Sequence, residues 1–240
     1  MNILVTGGAS GLGGSIVKKL ASNRANTIYF TFSKAEDSAQ LIQSQFENTK
    51  AIKLDFTNGT SLSEACKLFS EYSIEALINN AYVGPLEKNY FHKNPLSIYS
   101  SGFNNNIIPV IQLTQAAISY FRKKKFGRII TVLSSAIIGK PQLGSSAYIA
   151  EKQYLLSLTK SWAIENAAFN ITSNCVSPDF MLTAIHKDID ERIVENIINN
   201  SPLKKILTTE EVSESIEFLL YASPQINGVN IPINAGNYIL

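Results

Sequence analysis

Cysteine is scarce: Cys66 and Cys175 are the only two in 240 residues, too few for a disulfide framework and without the C-x-x-C spacing of a metal or redox site. Charge of one sign is also lacking. Lys and Arg number 21 against 19 Asp and Glu, and a net charge of +2 argues against a nucleic-acid or membrane-surface binder. No apolar run approaches the ~18 residues of a membrane span. The opening Met1-Asn2-Ile3 runs straight into a glycine motif with no basic stretch, so no secretory signal is expected. No internal repeat, low-complexity tract or linker divides the chain. These absences leave a soluble, reduced protein expected in the cytoplasm, with residues 1–240 forming one domain. They leave the chemistry open.

What is there is an alternation of short apolar runs with longer amphipathic stretches, the pattern of a parallel sheet with crossover helices. Strands are expected at Ile3–Val5, Thr27–Thr31, Ala51–Leu54, Ala76–Ile78, Arg128–Leu133, Ile171–Val176 and Val229–Ile233. Helices are expected at Leu12–Ala21, Asp37–Phe46, Leu62–Phe69, Val110–Phe121, Tyr148–Asn166, His186–Asn200 and Glu210–Tyr221. The basic run Arg122–Lys125 and then Gly127 suit a helix C-terminus, where cations meet the dipole and glycine usually follows. The fold class is α/β: one doubly wound domain on a seven-stranded parallel sheet.

Thr6-Gly7-Gly8-Ala9-Ser10-Gly11-Leu12-Gly13 falls between the first strand and the first helix. Glycines in that turn let the backbone approach a pyrophosphate, and the helix start supplies free N–H groups at its positive end. The glycines at 7, 11 and 13 differ in spacing from G-x-G-x-x-G, and a plain glycine turn is the alternative.

Tyr148 and Lys152 share a helix face. Bringing a phenol from its usual pKa of about 10 to neutrality takes about 4 kcal/mol, part of which a neighbouring ammonium can supply. With ten tyrosines, about one Y-x-x-x-K arises by chance, and Tyr120 with Lys124 forms a second. Upstream context separates them. Ser135 lies 13 residues before Tyr148 at a strand's C-terminal end, where open parallel sheets build active sites. The same step from Tyr120 reaches Ile107, which has no hydroxyl. Tyr120 and Lys124 are read as a solvated coincidence.

With these residues in order, nearly the whole chain resembles the short-chain dehydrogenase/reductase family in its shorter branch, which implies a Rossmann-type domain. The T-G-x-x-x-G-x-G turn matches Thr6 to Gly13, and the acidic residue after the third strand matches Asp55, with Phe56 beside the adenine. Asn79-Asn80-Ala81 matches the start of N-N-A-G, Asn106 the helix asparagine, and Ser135, Tyr148 and Lys152 the remaining active-site residues. Pro178 and Thr183 match P-G-x-x-x-T, and Asn234-Ala235-Gly236 aligns with D-G-G. The resemblance implies hydride exchange between a nicotinamide dinucleotide and a carbonyl or alcohol. Tyr148 would be the general acid or base and Ser135 would orient the carbonyl. Lys152 would lower the tyrosine pKa and bind ribose, and Asn106 would hold a relay water. Gly7, Ala9, Ser10, Gly11, Leu12 and Gly13 would cradle the cofactor.

Three departures from the pattern stand out: Tyr82 and Asp179 occupy glycine positions, and Asn234-Ala235 replaces D-G. None is expected to touch the tetrad; the first two are expected to reshape the pocket. After the second strand no carboxylate appears before Glu36, while Ser33 and Lys34 suit a 2′-phosphate, so NADP is favoured over NAD. Residues 183–201 are expected to form a substrate lid, with His186 as an incidental surface group. The nearest subgroup is the 3-oxoacyl-(acyl-carrier-protein) reductase type. Lys123 to Lys125 could attract an acidic carrier, but Phe169 stands where that subgroup carries a docking arginine. The expected partners are a small carbonyl or alcohol and further copies of the chain, as a tetramer or dimer. Helices 107–121 and 148–166 would form that contact through Ala116, Ala117, Leu155, Leu156, Leu158 and Trp162. No nucleic acid, membrane or metal is expected. The rival from another class is an idle dinucleotide-binding sensor or scaffold.

Overall fold

The computed structural model describes residues 1–84, 89–182 and 190–239; Thr183 and His186 lie outside the described residues. Seven strands, β1 (Asn2–Val5), β2 (Thr27–Phe32), β3 (Thr49–Lys53), β4 (Ala76–Asn79), β5 (Gly127–Val132), β6 (Ile171–Pro178) and β7 (Asn230–Ile233), make one parallel sheet. Their order is β3-β2-β1-β4-β5-β6-β7. Strand order therefore reverses between β1 and β4, where connections leave towards opposite faces and open a crevice at the C-terminal edge.

Alternation along the strands sends side chains to two cores. Ile3, Val5, Ile28 and Phe30 pack on one face with α1 (Gly11–Ala21), α2 (Glu36–Gln45) and α9 (Thr209–Tyr221). Leu4, Tyr29, Leu77 and Ile129 pack on the other with α3 (Gly59–Ala65), α4 (Leu68–Glu71), α6 (Ile108–Lys124) and α7 (Ser146–Asn166). Ala117, Leu155 and Trp162 belong to this second core, facing the sheet rather than a neighbouring subunit. The remaining helices are α5 (Leu96–Gly102) and α8 (Glu191–Asn200), the latter spanning the described part of the expected lid. Among the described residues no helix is long and apolar enough to cross a membrane.

Several expectations need correction. The helix expected at Leu62–Phe69 is two, broken at Cys66-Lys67, although Leu62, Ala65, Leu68 and Phe69 all remain buried. Gly127 does not cap α6. Lys125 takes the left-handed conformation there (φ 53°), and Gly127 starts β5 because a Cβ would meet the Phe121 ring at 2.2 Å. The asparagine-bearing segment Phe103–Ile107 is one π-helical turn between α5 and α6. Such turns re-aim a side chain within an otherwise regular helix.

Candidate active site

The glycine turn is pinned to the sheet at both sides of the crevice. Gly7 N–H donates to Thr31 Oγ1 at 3.0 Å and Gly8 N–H to the Thr31 carbonyl at 2.8 Å, with Gly7 at φ +65°. Across the crevice, Thr6 Oγ1 accepts from the N–H groups of Asn80 and Ala81 at 2.9 and 3.0 Å. Asn80 Nδ2 donates back to the Thr6 carbonyl at 3.0 Å. Ser10, the N-cap of α1, makes no side-chain cap bond, and the first turn holds no acidic residue. The helix start thus keeps its N–H groups and positive dipole end for an anion, which fits a dinucleotide pyrophosphate.

Ser10 and Gly11 are exposed at this mouth, whereas the side chains of Ala9 and Leu12 are buried in the core and offer a ligand only backbone. Asn79 is buried as well, its Nδ2 donating to Thr114 Oγ1 at 3.1 Å; it braces β4 against α6. At the end of β2, Ser33 and Lys34 are exposed, and Glu36 is paired with Lys53 at 3.1 Å. Asp55 beyond β3 accepts from the Thr57 side chain and backbone, which holds its carboxyl below the usual range, helped by nearby Lys34. Phe56 is half-buried beside it, and Pro178 is the buried last residue of β6.

The proposed tetrad assembles along the same edge. Lys152, buried on α7, donates from Nζ to the Val132 carbonyl at 3.0 Å. Burial brings its ammonium down to about 8, with Glu151 and Cys175 acting the other way. The Tyr148 phenol is pushed up by burial, drawn back by a hydrogen bond from Ser134, and pushed up again by Glu151. It is therefore a firmly protonated acid. The lowering expected from Lys152 is not what acts on it here, because the ammonium is aimed at Val132. Asn106 clamps the loop after β4: its Oδ1 accepts from Val83 N–H at 2.7 Å and its Nδ2 donates to the Val83 carbonyl at 3.2 Å.

Two departures from the family pattern do reach the tetrad, contrary to expectation. The Tyr82 ring meets the Tyr148 ring edge-on at 5.4 Å, and Lys152 Nζ lies 5.3 Å from the Tyr82 ring centre. Asp179 Oδ1 accepts the Ser135 hydroxyl at 2.9 Å. Sequence reasoning also missed Ser134 and Glu151. Glu151 is a buried carboxylate that accepts from Asn106 Nδ2 at 3.0 Å and from the Tyr82 hydroxyl, and burial raises its pKa. A pocket of about 10 Å³ between Ala81, Tyr82, Asn106, Glu151 and Lys152 is near the minimum that holds one water. Tyr120 and Lys124, the second Y-x-x-x-K pair, lie away from all this at the solvated end of α6. Phe169 carries the Arg122 guanidinium 4.0 Å from its ring centre.

A larger cavity of about 600 Å³ opens beside Asp179. It is walled by α8 residues such as Ile193 and Ile197 and by the segment after β7, where Ala235 is held left-handed at φ 54°. Among the described residues no cluster of His, Cys, Asp or Glu is placed to hold a metal.

Residues 7–237 match the family described as Enoyl-(Acyl carrier protein) reductase. The chain is 31% identical to the 3-oxoacyl-(acyl-carrier-protein) reductase of Buchnera aphidicola subsp. Schizaphis graminum, over 98% of this chain and 96% of that one. Identity to the Vibrio harveyi enzyme of the same name is 28%, over 99% and 97%. Among solved structures, an ElxO variant with NADPH bound superposes with TM-score 0.88 at 24% identity, covering 98% of both chains. A variant of actinorhodin polyketide ketoreductase with NADPH gives TM-score 0.87 at 18% identity, covering 98% of this chain and 96% of that one. With the glycine turn, the sheet order and this full-length match in agreement, the chain belongs to the short-chain dehydrogenase/reductase family of NAD(P)-dependent oxidoreductases.

Proposed function

We propose that this protein is an NADP(H)-dependent carbonyl reductase of the cytoplasm that also runs the reverse alcohol oxidation. The observation that carries this reading is the convergence of Tyr148, Lys152, Ser135 and Asn106 on the crevice mouth opened by the glycine turn. When bound, the dinucleotide would supply the hydride, held at the α1 start, Ser33, Lys34, Asp55, Phe56 and the segments Asn80-Ala81 and Pro178-Thr183. The chain does the proton work. Tyr148, kept protonated by its burial, donates to the carbonyl oxygen as negative charge builds on it. The Ser135 hydroxyl, turned from Asp179, gives that oxygen a second hydrogen bond. Lys152, whose ammonium is held on the Val132 carbonyl, would bind the ribose hydroxyls. The small pocket between Lys152 and Asn106 suits the relay water that returns the proton.

NADP is preferred on two grounds. Two solved neighbours carry NADPH, and at the end of β2 the exposed Lys34 meets a 2′-phosphate while the first carboxylate, Glu36, is engaged by Lys53. Fluorescence titration should show NADPH binding at least about tenfold tighter than NADH, and Lys34→Glu should remove that margin. Tighter NADH binding by the unmodified protein refutes the preference. Subunit assembly, as a dimer or tetramer, would use the outer faces of α6 and α7; on α7, Tyr154 and Ile164 are exposed.

Glu151 gives the reaction a pH signature. Its negative charge holds protons on both Lys152 and Tyr148. Glu151→Gln keeps the Asn106 contact but lets both groups release protons at lower pH. Reduction by the unmodified protein should fall as pH rises through about 8, where Lys152 loses its charge. In the variant that alkaline limb should move to lower pH. A pH–rate profile checks it, and an unmoved limb refutes it. The groups facing Glu151 are Tyr82, Lys152 and Asn106, and its charge also acts on Tyr148, so the shift belongs to this cluster.

A further inference from the structure

We propose that Asp179 selects ketones bearing a hydroxyl on the carbon next to the carbonyl, an inference that rests on the carbonyl-reductase reading above. The Ser135 hydroxyl has one proton, and it is given to Asp179 Oδ1 at 2.9 Å. While that bond stands, Ser135 turns only lone pairs towards an incoming carbonyl oxygen, and acceptor faces acceptor. A simple ketone must break the bond to recruit Ser135. A ketone with a neighbouring hydroxyl replaces the bond it breaks, because its O–H takes over the Asp179 oxygen and releases the serine proton to the carbonyl. The two oxygens of an α-hydroxy ketone are joined through two carbons, and their spacing matches the short gap between Ser135 Oγ and Asp179 Oδ1.

Asp179 is held to this task. Its N–H donates to the Ile233 carbonyl at 3.0 Å, its Oδ1 also accepts from Phe180 N–H at 2.9 Å, and its Oδ2 accepts from Asn237 Nδ2 at 3.3 Å. The carboxylate is thereby fixed by the segment after β7 and cannot follow the serine away. It lines the cavity of about 600 Å³, where the side-chain amides of Gln142, Asn196 and Asn237 offer bonds to further hydroxyls. A 2-oxo acid would set its carboxylate against Asp179 and is disfavoured. The reaction balances as a carbonyl reduction. The carbonyl carbon takes the hydride supplied by NADPH, the oxygen takes the Tyr148 proton, the C=O π bond breaks, and the product is a vicinal diol with oxidised cofactor.

The test compares kcat/KM for 3-hydroxy-2-butanone and 2-butanone with NADPH, and measures butane-2,3-diol binding by calorimetry. The unmodified protein should favour the hydroxy ketone by on the order of 10- to 100-fold, the worth of a hydrogen bond to a charged group. Asp179→Gly should bring the ratio near unity, by losing the hydroxy ketone and gaining on 2-butanone through the freed serine, and should lose diol binding. Asp179→Asn, which keeps the side-chain shape, should fall between. Equal rates on both ketones in the unmodified protein, or a preference that survives Asp179→Gly, overturn the proposal. Faster turnover of 3-amino-2-butanone overturns it in favour of a cationic substrate. If neither ketone turns over, the reductase reading has failed, and the diol titration still decides Asp179: binding lost in the glycine variant supports its role and unchanged binding overturns it.

Discussion

Tyr148→Phe should lower NADPH-dependent carbonyl reduction by about 10²- to 10⁴-fold while leaving NADPH affinity nearly intact. The substitution removes one oxygen and keeps the ring. The edge-on contact with Tyr82 at 5.4 Å therefore survives, and so does the packing of α7 against β6. What is lost is the acid that meets charge developing on the carbonyl oxygen. Steady-state kinetics with a ketone that the unmodified protein accepts, paired with fluorescence titration of NADPH, separates the two effects. Unchanged turnover would remove Tyr148 from the chemistry, and a parallel loss of cofactor affinity would make its role one of binding.

The second large effect concerns the turn. A Cβ on Gly13 would lie 2.0 Å from the Gly7 carbonyl oxygen and 2.6 Å from Asn80 Nδ2. Both atoms belong to the clamp that joins β1 to the loop after β4, since Asn80 Nδ2 bonds the carbonyls of Thr6 and Gly7 at 3.0 and 3.3 Å. Gly13→Ala must therefore spread the turn. Overpacking of this kind costs about 1–3 kcal/mol of stability, and the displaced N–H groups should bind NADPH at least about tenfold more weakly. Gly14→Ala is the control: its Cβ would meet nothing closer than 3.6 Å, and alanine is the better helix former. Denaturant unfolding and cofactor titration of both variants should show loss at position 13 and none at 14. Equal behaviour would mean that the turn yields more readily than its contacts imply.

Much of this was legible in the sequence because it is local. Strands such as β1 and β4 announce themselves as short apolar runs bounded by turn residues, and α7 carries Tyr148 and Lys152 on one face by its own period. Ser135 could be chosen because a strand end precedes it. What stayed hidden is contact between segments far apart in the chain. Asp179 and Ser135 are 44 residues apart, and nothing near either position signals that β5 and β6 bring them together. Glu151 was missed for the same reason, and Tyr82, though noticed at a glycine position, gave no sign of its contact with Tyr148. Helix α5 gave no signal because it buries no residue, so no apolar period marks it. The π turn at Asn106 and the left-handed Lys125 carry no local signature in the sequence.

The central claim, that these residues run hydride exchange between NADPH and a carbonyl, is tested most directly by isotope transfer. With NADPH deuterated at the transferable C4 position and 3-hydroxy-2-butanone or 2-butanone as acceptor, mass spectrometry of the product should show deuterium on the new carbinol carbon for each NADPH oxidised. Tyr148→Phe should abolish that transfer. Tight NADPH binding with no label reaching any carbonyl across a broad panel would contradict the account and leave a dinucleotide sensor or scaffold in its place.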